Sequence, residues 1–128
     1  MIRSYANDFL KELVSLNVAT TITTTASNGN SIDTQGALRM RLAVISGTIT
    51  DGSYTAKIQE SDDESSWSDV DDSQVLGTKT FAATDDNTIR NLDVLSTKKY
   101  IRLVITPSGA TTGGVFSAIA IIDPKLKS

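Results

Sequence analysis

Ala37-Leu-Arg-Met-Arg-Leu-Ala-Val-Ile45 is the stretch that decides the fold. Leu38, Met40, Leu42 and Val44 fall on one side of an extended chain. Ala37, Arg39, Arg41, Ala43 and Ile45 fall on the other. Successive strand side chains point to opposite faces, so this alternation describes a half-buried strand with its arginines outward. After a turn at Gly47 to Gly52 the pattern returns, with Tyr54, Ala56 and Ile58 inward. Tyr100 to Thr106 sets Ile101, Leu103 and Ile105 on one face. Val115 to Ile122 is apolar on both faces, which predicts a strand that is central or buried on both sides.

Working outward from these strands, Thr78 to Ala83 and Thr88 to Val94 read as shorter ones. Ser27 to Ser31 contains Asn28-Gly29, a strong hairpin signal, and predicts a turn. Asp85 to Asn87 and Pro107 to Gly114 are further breaks. Seven to nine short strands with turn signals at intervals of roughly 8–12 residues predict a sandwich or barrel. An all-β, jelly-roll-like antiparallel β-sandwich is the first reading, and an immunoglobulin-like sandwich the second. Residues 1–12 are expected to form a short N-terminal arm or helix. Residues 13–128 are expected to be a single β-sandwich domain, its first strand starting near Leu13.

Composition narrows the function. The chain has 128 residues, enough for one domain with a core of its own. Ser and Thr supply 32 of them, which suits solvated strand faces. There is no Cys, hence no disulfide and no thiolate nucleophile or ligand. There is no His, the usual acid–base group near neutral pH and the commonest transition-metal ligand. The net charge of −3 argues against a nucleic-acid partner. The start MIRSYANDFLKELVSLNV lacks the apolar core of a secretory signal, and Val115 to Ile122 is too short to span a bilayer. The expectation is a protein that is not an enzyme, with no cofactor, no metal and no membrane partner.

The conspicuous polar feature is an acidic stretch. Glu60, Asp62, Asp63, Glu64, Asp69, Asp71 and Asp72 lie between Lys57 and Lys79 with no base among them. Calcium takes several carboxylate oxygens, but the spacing does not match an EF-hand loop. A solvated loop that protects a sheet edge is the favoured reading. A pair of glycosidase carboxylates would need a cleft walled by aromatics, and one Trp among these acids is a poor setting. Trp67 itself is expected to pack over the sandwich rim rather than to stack on a sugar. Arg39, Arg41 and Arg102 occupy outward strand positions and are read as ordinary solvated residues, with salt bridges to a partner surface as the alternative. Gly109 with Gly113-Gly114 lacks the GxxxxGK[ST] pattern and is read as a flexible hairpin, not a phosphate loop.

Several segments together carry a resemblance. They are Ser31-Ile-Asp-Thr-Gln-Gly36, Ile49-Thr-Asp-Gly-Ser-Tyr-Thr-Ala-Lys-Ile-Gln-Glu-Ser-Asp-Asp63, Trp67-Ser-Asp-Val70, Leu76-Gly-Thr78, Lys99-Tyr-Ile-Arg-Leu-Val-Ile-Thr106 and Thr112-Gly-Gly-Val115. The chain resembles a group of small tailed-bacteriophage virion structural proteins from about Ser31 to its last strand. The resemblance implies a capsid decoration, or cement, protein on the assembled head shell. Other roles for such a fold are head–tail completion, a baseplate or fibre-attachment component, or a module binding carbohydrate or a host surface. The implied partners are the major capsid protein and further copies of the chain, with a trimer expected. The implied place is the phage particle, after synthesis in the bacterial cytoplasm. Tyr5, Phe9, Leu10, Leu13 and Leu16 form an apolar set near the N-terminus, and burying each is worth roughly 1.5–3 kcal/mol. A neighbouring subunit is the expected place to bury them.

Overall fold

The computed structural model describes residues 11–37, 39–96 and 98–122. The strands run Lys11–Ile22 (β1), Ser27–Asn28 (β2), Ile32–Asp33 (β3), Arg39–Ile49 (β4), Ser53–Ser61 (β5), Ser68–Asp69 (β6), Val75–Leu76 (β7), Thr80–Phe81 (β8), Ile89–Leu95 (β9), Tyr100–Ser108 (β10) and Gly114–Ile122 (β11). A 3-10 turn at Asp72–Gln74 leads into β7. No helix among the described residues is long and apolar enough to cross a membrane.

Two antiparallel sheets form the sandwich. One has five strands in the order β1-β11-β4-β9-β7. The other has six: β2 and β3 on one side of β10, then β5, then β6 and β8 on the far side of β5. Merging β2 with β3, and β6 with β8, as interrupted edge strands leaves eight positions. Their order is 1-8-3-6 in one sheet and 2-7-4-5 in the other, with β7 appended beside β9. That interleaving is a jelly roll, the first of the two sandwich readings; the alternation and turn spacing predicted the sandwich but not its connectivity.

The period-2 reading holds strand by strand. In β4, Met40, Leu42 and Val44 are buried while Arg39 and Arg41 are exposed. Leu38 lies outside the described residues. Tyr54, Ala56 and Ile58 of β5 and Ile101, Leu103 and Ile105 of β10 are likewise buried. Phe116, from β11 in the five-stranded sheet, packs between two rings of the other sheet. Its centroid is 4.8 Å from Tyr54 and 5.2 Å from Phe81. Tilted and edge-on ring contacts of this kind tie the two inner faces together.

Three expectations change. β1 begins at Lys11, which pairs with Ile122, so the first strand starts two residues before the expected position. Leu16 is 4% exposed inside the core and is therefore not a side chain left over for a neighbouring subunit. The segment expected to turn at Asn28-Gly29 is an edge strand instead. Ser27 and Asn28 pair with Ile105 and Val104 of β10. The Gly29 N–H donates to the Leu103 carbonyl at 2.7 Å, and the Asn30 N–H donates to the Ser15 carbonyl at 2.6 Å. An Asn-Gly hairpin needs its flanking strands to pair with each other. Here β1 pairs with β11 and β3 with β10, so the chain passes from one sheet to the other.

Candidate functional site

The motif segments meet one another in space, and their polar side chains hold turns. Asp51 lies between β4 and β5. Its carboxylate accepts N–H groups from Gly113 at 2.8 Å, and from Thr112 and Thr111 at 3.1 Å each. These bonds, led by that from Gly113, hold the Asp51 carboxyl below its ordinary value. The Tyr54 hydroxyl donates to the Asp51 carbonyl at 2.7 Å. Gly113 takes φ +99°, and a Cβ there would run into the Ile22 carbonyl, so only glycine fits. The loop expected to be a flexible hairpin is thus a fixed cradle of N–H groups. Such a nest binds an anion, and the anion here is the chain's own carboxylate. Both connections in this clasp cross between the sheets.

A second cluster joins Thr34 to the β9–β10 loop. The Thr34 hydroxyl bonds the Lys98 and Lys99 carbonyls at 3.0 Å each, and its N–H donates to the Lys99 carbonyl at 2.8 Å. Positive φ at Gln35 and Gly36 turns the chain away into β4.

The acidic loop is organised around Asp63. One carboxylate oxygen accepts the Ser65 N–H at 2.9 Å, the Ser66 N–H at 3.0 Å and the Ser61 hydroxyl at 3.0 Å. The bonds from Ser66, Ser65 and Ser61 lower its pKa. Asp71 caps the 3-10 turn through the Ser73 N–H at 3.0 Å. The bases absent from this stretch of sequence arrive from elsewhere. Lys98 reaches Asp62 at 3.2 Å, Lys57 reaches Asp69 at 3.4 Å and Lys79 reaches Asp72 at 3.7 Å. Among the described residues no three acidic side chains converge as a metal cage.

Beside this loop lies a cavity of about 240 Å³ lined by Glu60, Asp62, Asp63, Ser66, Trp67 and Lys98. That is below the usual range for a small-molecule pocket. Trp67 is half-buried on the rim. The Arg102 guanidinium sits 4.4 Å from its ring centroid, and its indole N–H donates to the Glu64 carbonyl at 3.3 Å. One face of the ring is therefore covered by the chain itself.

The arginines with similar strand positions end on opposite sheets. Arg102 faces outward on the six-stranded sheet, with its Nε donating to Gln59 at 2.9 Å. Arg41 faces outward on the five-stranded sheet and forms a two-point pair with Asp93, at 2.8 and 3.2 Å. That pairing, chiefly the hydrogen bond, lowers the Asp93 pKa and raises that of Arg41.

The two outer faces differ. On the six-stranded sheet, outward positions carry Lys57, Gln59, Asp69 and Arg102, joined by hydrogen bonds and an ion pair. On the five-stranded sheet, Val14, Ile119 and Ala43 lie in one cross-strand row, and Ile45 and Ile89 in the next. This apolar face is the surface that the sequence reading missed. The signal was the two-sided apolar pattern of β11, read as burial on both sides. β11 is indeed central, between β1 and β4, but Ile119 on its outer side remains 36% exposed. Of the apolar set assigned to a subunit interface, Tyr5, Phe9 and Leu10 lie outside the described residues, as does the Leu13 side chain.

No protein-family model and no curated protein matches the chain. Among solved structures, the SPBc2 prophage-derived protein YomS aligns with a TM-score of 0.50 at 12% identity, over 88% of this chain and 92% of its own. The N-terminal endo-1,4-beta-D-xylanase 10B of Clostridium thermocellum, complexed with xylohexaose, aligns at 0.47 and 12% identity, over 89% of this chain and 24% of its own. The baseplate tripod of bacteriophage Tuc2009 aligns at 0.43 and 7% identity, over 96% of this chain and 68% of its own. The likeness to YomS is one of fold.

Proposed function

We propose that the chain is a structural protein of a tailed-phage virion, and that it decorates the assembled head shell as a closed homo-oligomer, with a trimer the expected order. The carrying observation is how the motif residues are used. Asp51 with Thr111 to Gly113, Thr34 with Lys98 and Lys99, and Asp63 with Ser61 to Ser66 all hold turns of the sandwich. Asp51, Thr112, Gly113, Thr34, Lys99, Ser61 and Asp63 among these belong to the segments on which the resemblance to phage virion proteins rests, and a decoration protein needs from them a rigid β domain, not chemistry. The fold likeness to a prophage-derived protein supports the same reading. On this reading the protein has no catalytic role, and its partners are the major capsid protein and copies of itself.

Cryo-electron microscopy of virions carrying the chain tests the proposal. The expected result is sandwich-shaped density repeated over the head lattice. Density confined to the neck or baseplate would move the chain to another virion role. Absence from purified virions would overturn the reading altogether.

A further inference from the structure

Asn28-Gly29 is the one Asn-Gly pair in the chain, and the fold does not use it as the hairpin turn that the pair suggests. Glycine stands at position 29 because there is no room for a side chain. A Cβ there would sit 2.5 Å from the Ser15 carbonyl oxygen and 3.2 Å from that of Leu103. Ser15 belongs to β1 of one sheet and Leu103 to β10 of the other. The packing therefore places a reactive pair at a sheet edge. An asparagine followed by glycine cyclises readily, because no side chain on the next residue hinders attack by its backbone nitrogen. The other asparagines precede Asp8, Val18, Ser31, Thr88 and Leu92, each with a Cβ in the way.

We propose that Asn28 is a modification site gated by β2: it converts to aspartate and isoaspartate when β2 leaves β10, and not while the two strands are paired. The inference stands apart from the virion role proposed above. In the reaction the Gly29 nitrogen gives its proton to solvent and attacks Asn28 Cγ. The new N–Cγ bond closes a succinimide ring, the Cγ–Nδ2 bond breaks and ammonia leaves. Water then opens the ring. Addition at Cγ gives aspartate, and addition at the main-chain carbonyl carbon gives isoaspartate.

The folded sandwich closes this route in three ways. The Gly29 N–H donates to the Leu103 carbonyl at 2.7 Å, so the attacking nitrogen is held by a partner and keeps its proton. Ser27 and Asn28 pair with Ile105 and Val104, which holds the backbone extended, whereas ring closure needs rotation about the Asn28 ψ angle. The Asn30 N–H donates to the Ser15 carbonyl at 2.6 Å and pins the residue beyond. All three lapse together when β2 lifts away. β2 is a two-residue edge strand with Asn28 exposed, the kind of segment that opens locally before the whole domain does.

Asp51-Gly52, the chain's Asp-Gly pair, is guarded differently. Its carboxylate is engaged by the Thr111, Thr112 and Gly113 N–H groups, from residues of another connection. Asn28 depends on β2 alone. Isoaspartate at position 28 would put one extra carbon into the backbone. Ser27 and Gly29 then fail to keep register together against Ile105 and Leu103, and the opening becomes permanent.

The test is timed peptide mapping of the full-length protein in mildly alkaline buffer. Chromatography resolves aspartate from isoaspartate, and isoaspartyl methyltransferase labelling gives a second readout. The same protein in guanidinium gives the open-chain rate. Asn28→Gln, whose longer side chain cyclises far more slowly, identifies the signal. Conversion at Asn28 is expected to be at least about tenfold slower in the folded protein, an opening free energy of about 1.4 kcal/mol or more. Denaturant added below the unfolding transition separates the gate from the fold. The rate at Asn28 should climb with a shallower slope than global unfolding, because lifting β2 exposes little surface, and should follow hydrogen exchange of the Gly29 amide. Equal rates in the folded and unfolded protein would overturn the gating. A slope equal to that of global unfolding would overturn the local gate and give the protection to the sandwich as a whole. A signal that persists in Asn28→Gln would place the reactive residue elsewhere and overturn the assignment.

Discussion

The two outer faces of this sandwich are built on the same alternation, yet they end in opposite chemistry. On the six-stranded sheet, outward positions hold Lys57, Gln59, Asp69 and Arg102, whose polar atoms bond one another across strands. On the five-stranded sheet, outward positions hold Arg39, Arg41 and Asp93 towards one end, and Val14, Ile119, Ala43, Ile45 and Ile89 along the rest of β1, β11, β4 and β9. A strand's inner face answers to the core, and in both sheets it is apolar. Its outer face answers to whatever lies outside. The polar face is complete in water. The apolar one is the kind of surface that a soluble protein keeps for a partner. The difference sets an unpaired apolar strip on one side of the molecule and a bonded polar face on the other.

The comparison assumes that the two sheets stand or fall together, and Phe116 is the place to break it. Phe116→Ala removes the ring that joins the five-stranded sheet to Tyr54 and Phe81 of the other. The expected loss is about 3–5 kcal/mol in denaturant unfolding. Trp67 fluorescence, which reports the rim of the polar sheet, should follow the same transition as far-ultraviolet dichroism. Two separate transitions would show sheets that unfold independently.

A smaller effect is expected at the clasp. Gly113→Ala must place a Cβ against the Ile22 carbonyl at a backbone angle that alanine avoids. A loss of about 1–3 kcal/mol should follow, measured as a lower denaturation midpoint. An unchanged midpoint would mean that the crossing between sheets is not held by the geometry described.

The smallest effect is a pH dependence. Asp51, Asp63 and Asp69 are held below the ordinary carboxyl pKa, chiefly by hydrogen bonds from Gly113, from Ser66 and from Gln59 respectively. A depressed native pKa contributes stability that is present above the unfolded value of about 3.9 and is lost as pH falls through the native one. The melting temperature should therefore fall as acid is added below about pH 5. Asp51→Asn should start lower at neutral pH and fall less steeply. Equal slopes for Asp51→Asn and the native protein would remove Asp51 from the account.

Much of the fold was legible because alternation is local. Met40, Leu42 and Val44 announce their inner side whatever β4 pairs with, and the same holds for Ile101, Leu103 and Ile105. Leu16 was misjudged because an apolar residue near a terminus looks the same in sequence whether it fills its own core or a neighbour's. Asn28-Gly29 was misjudged because a hairpin signal says nothing of which strands are free to pair. The acidic stretch was read as a solvated loop. It is exposed, and several of its acids also hold partners: backbone N–H groups at Asp63, Lys98 of the β9–β10 loop at Asp62 and Lys57 of β5 at Asp69.

By itself the sequence determined the class of fold, the inward sets of β4, β5 and β10 and the absence of thiol and imidazole chemistry. Each of these depends only on residue type and on a repeat of two along the chain. Only the tertiary structure decided that the Asp51 carboxylate closes on the Thr111 N–H, 60 residues away, or that Arg41 and Arg102 face opposite ways. It alone lined up Val14, Ile119, Ala43, Ile45 and Ile89 from four strands. The physical reason is that strand order and register bring together residues far apart in the chain, and no local pattern encodes which edge meets which.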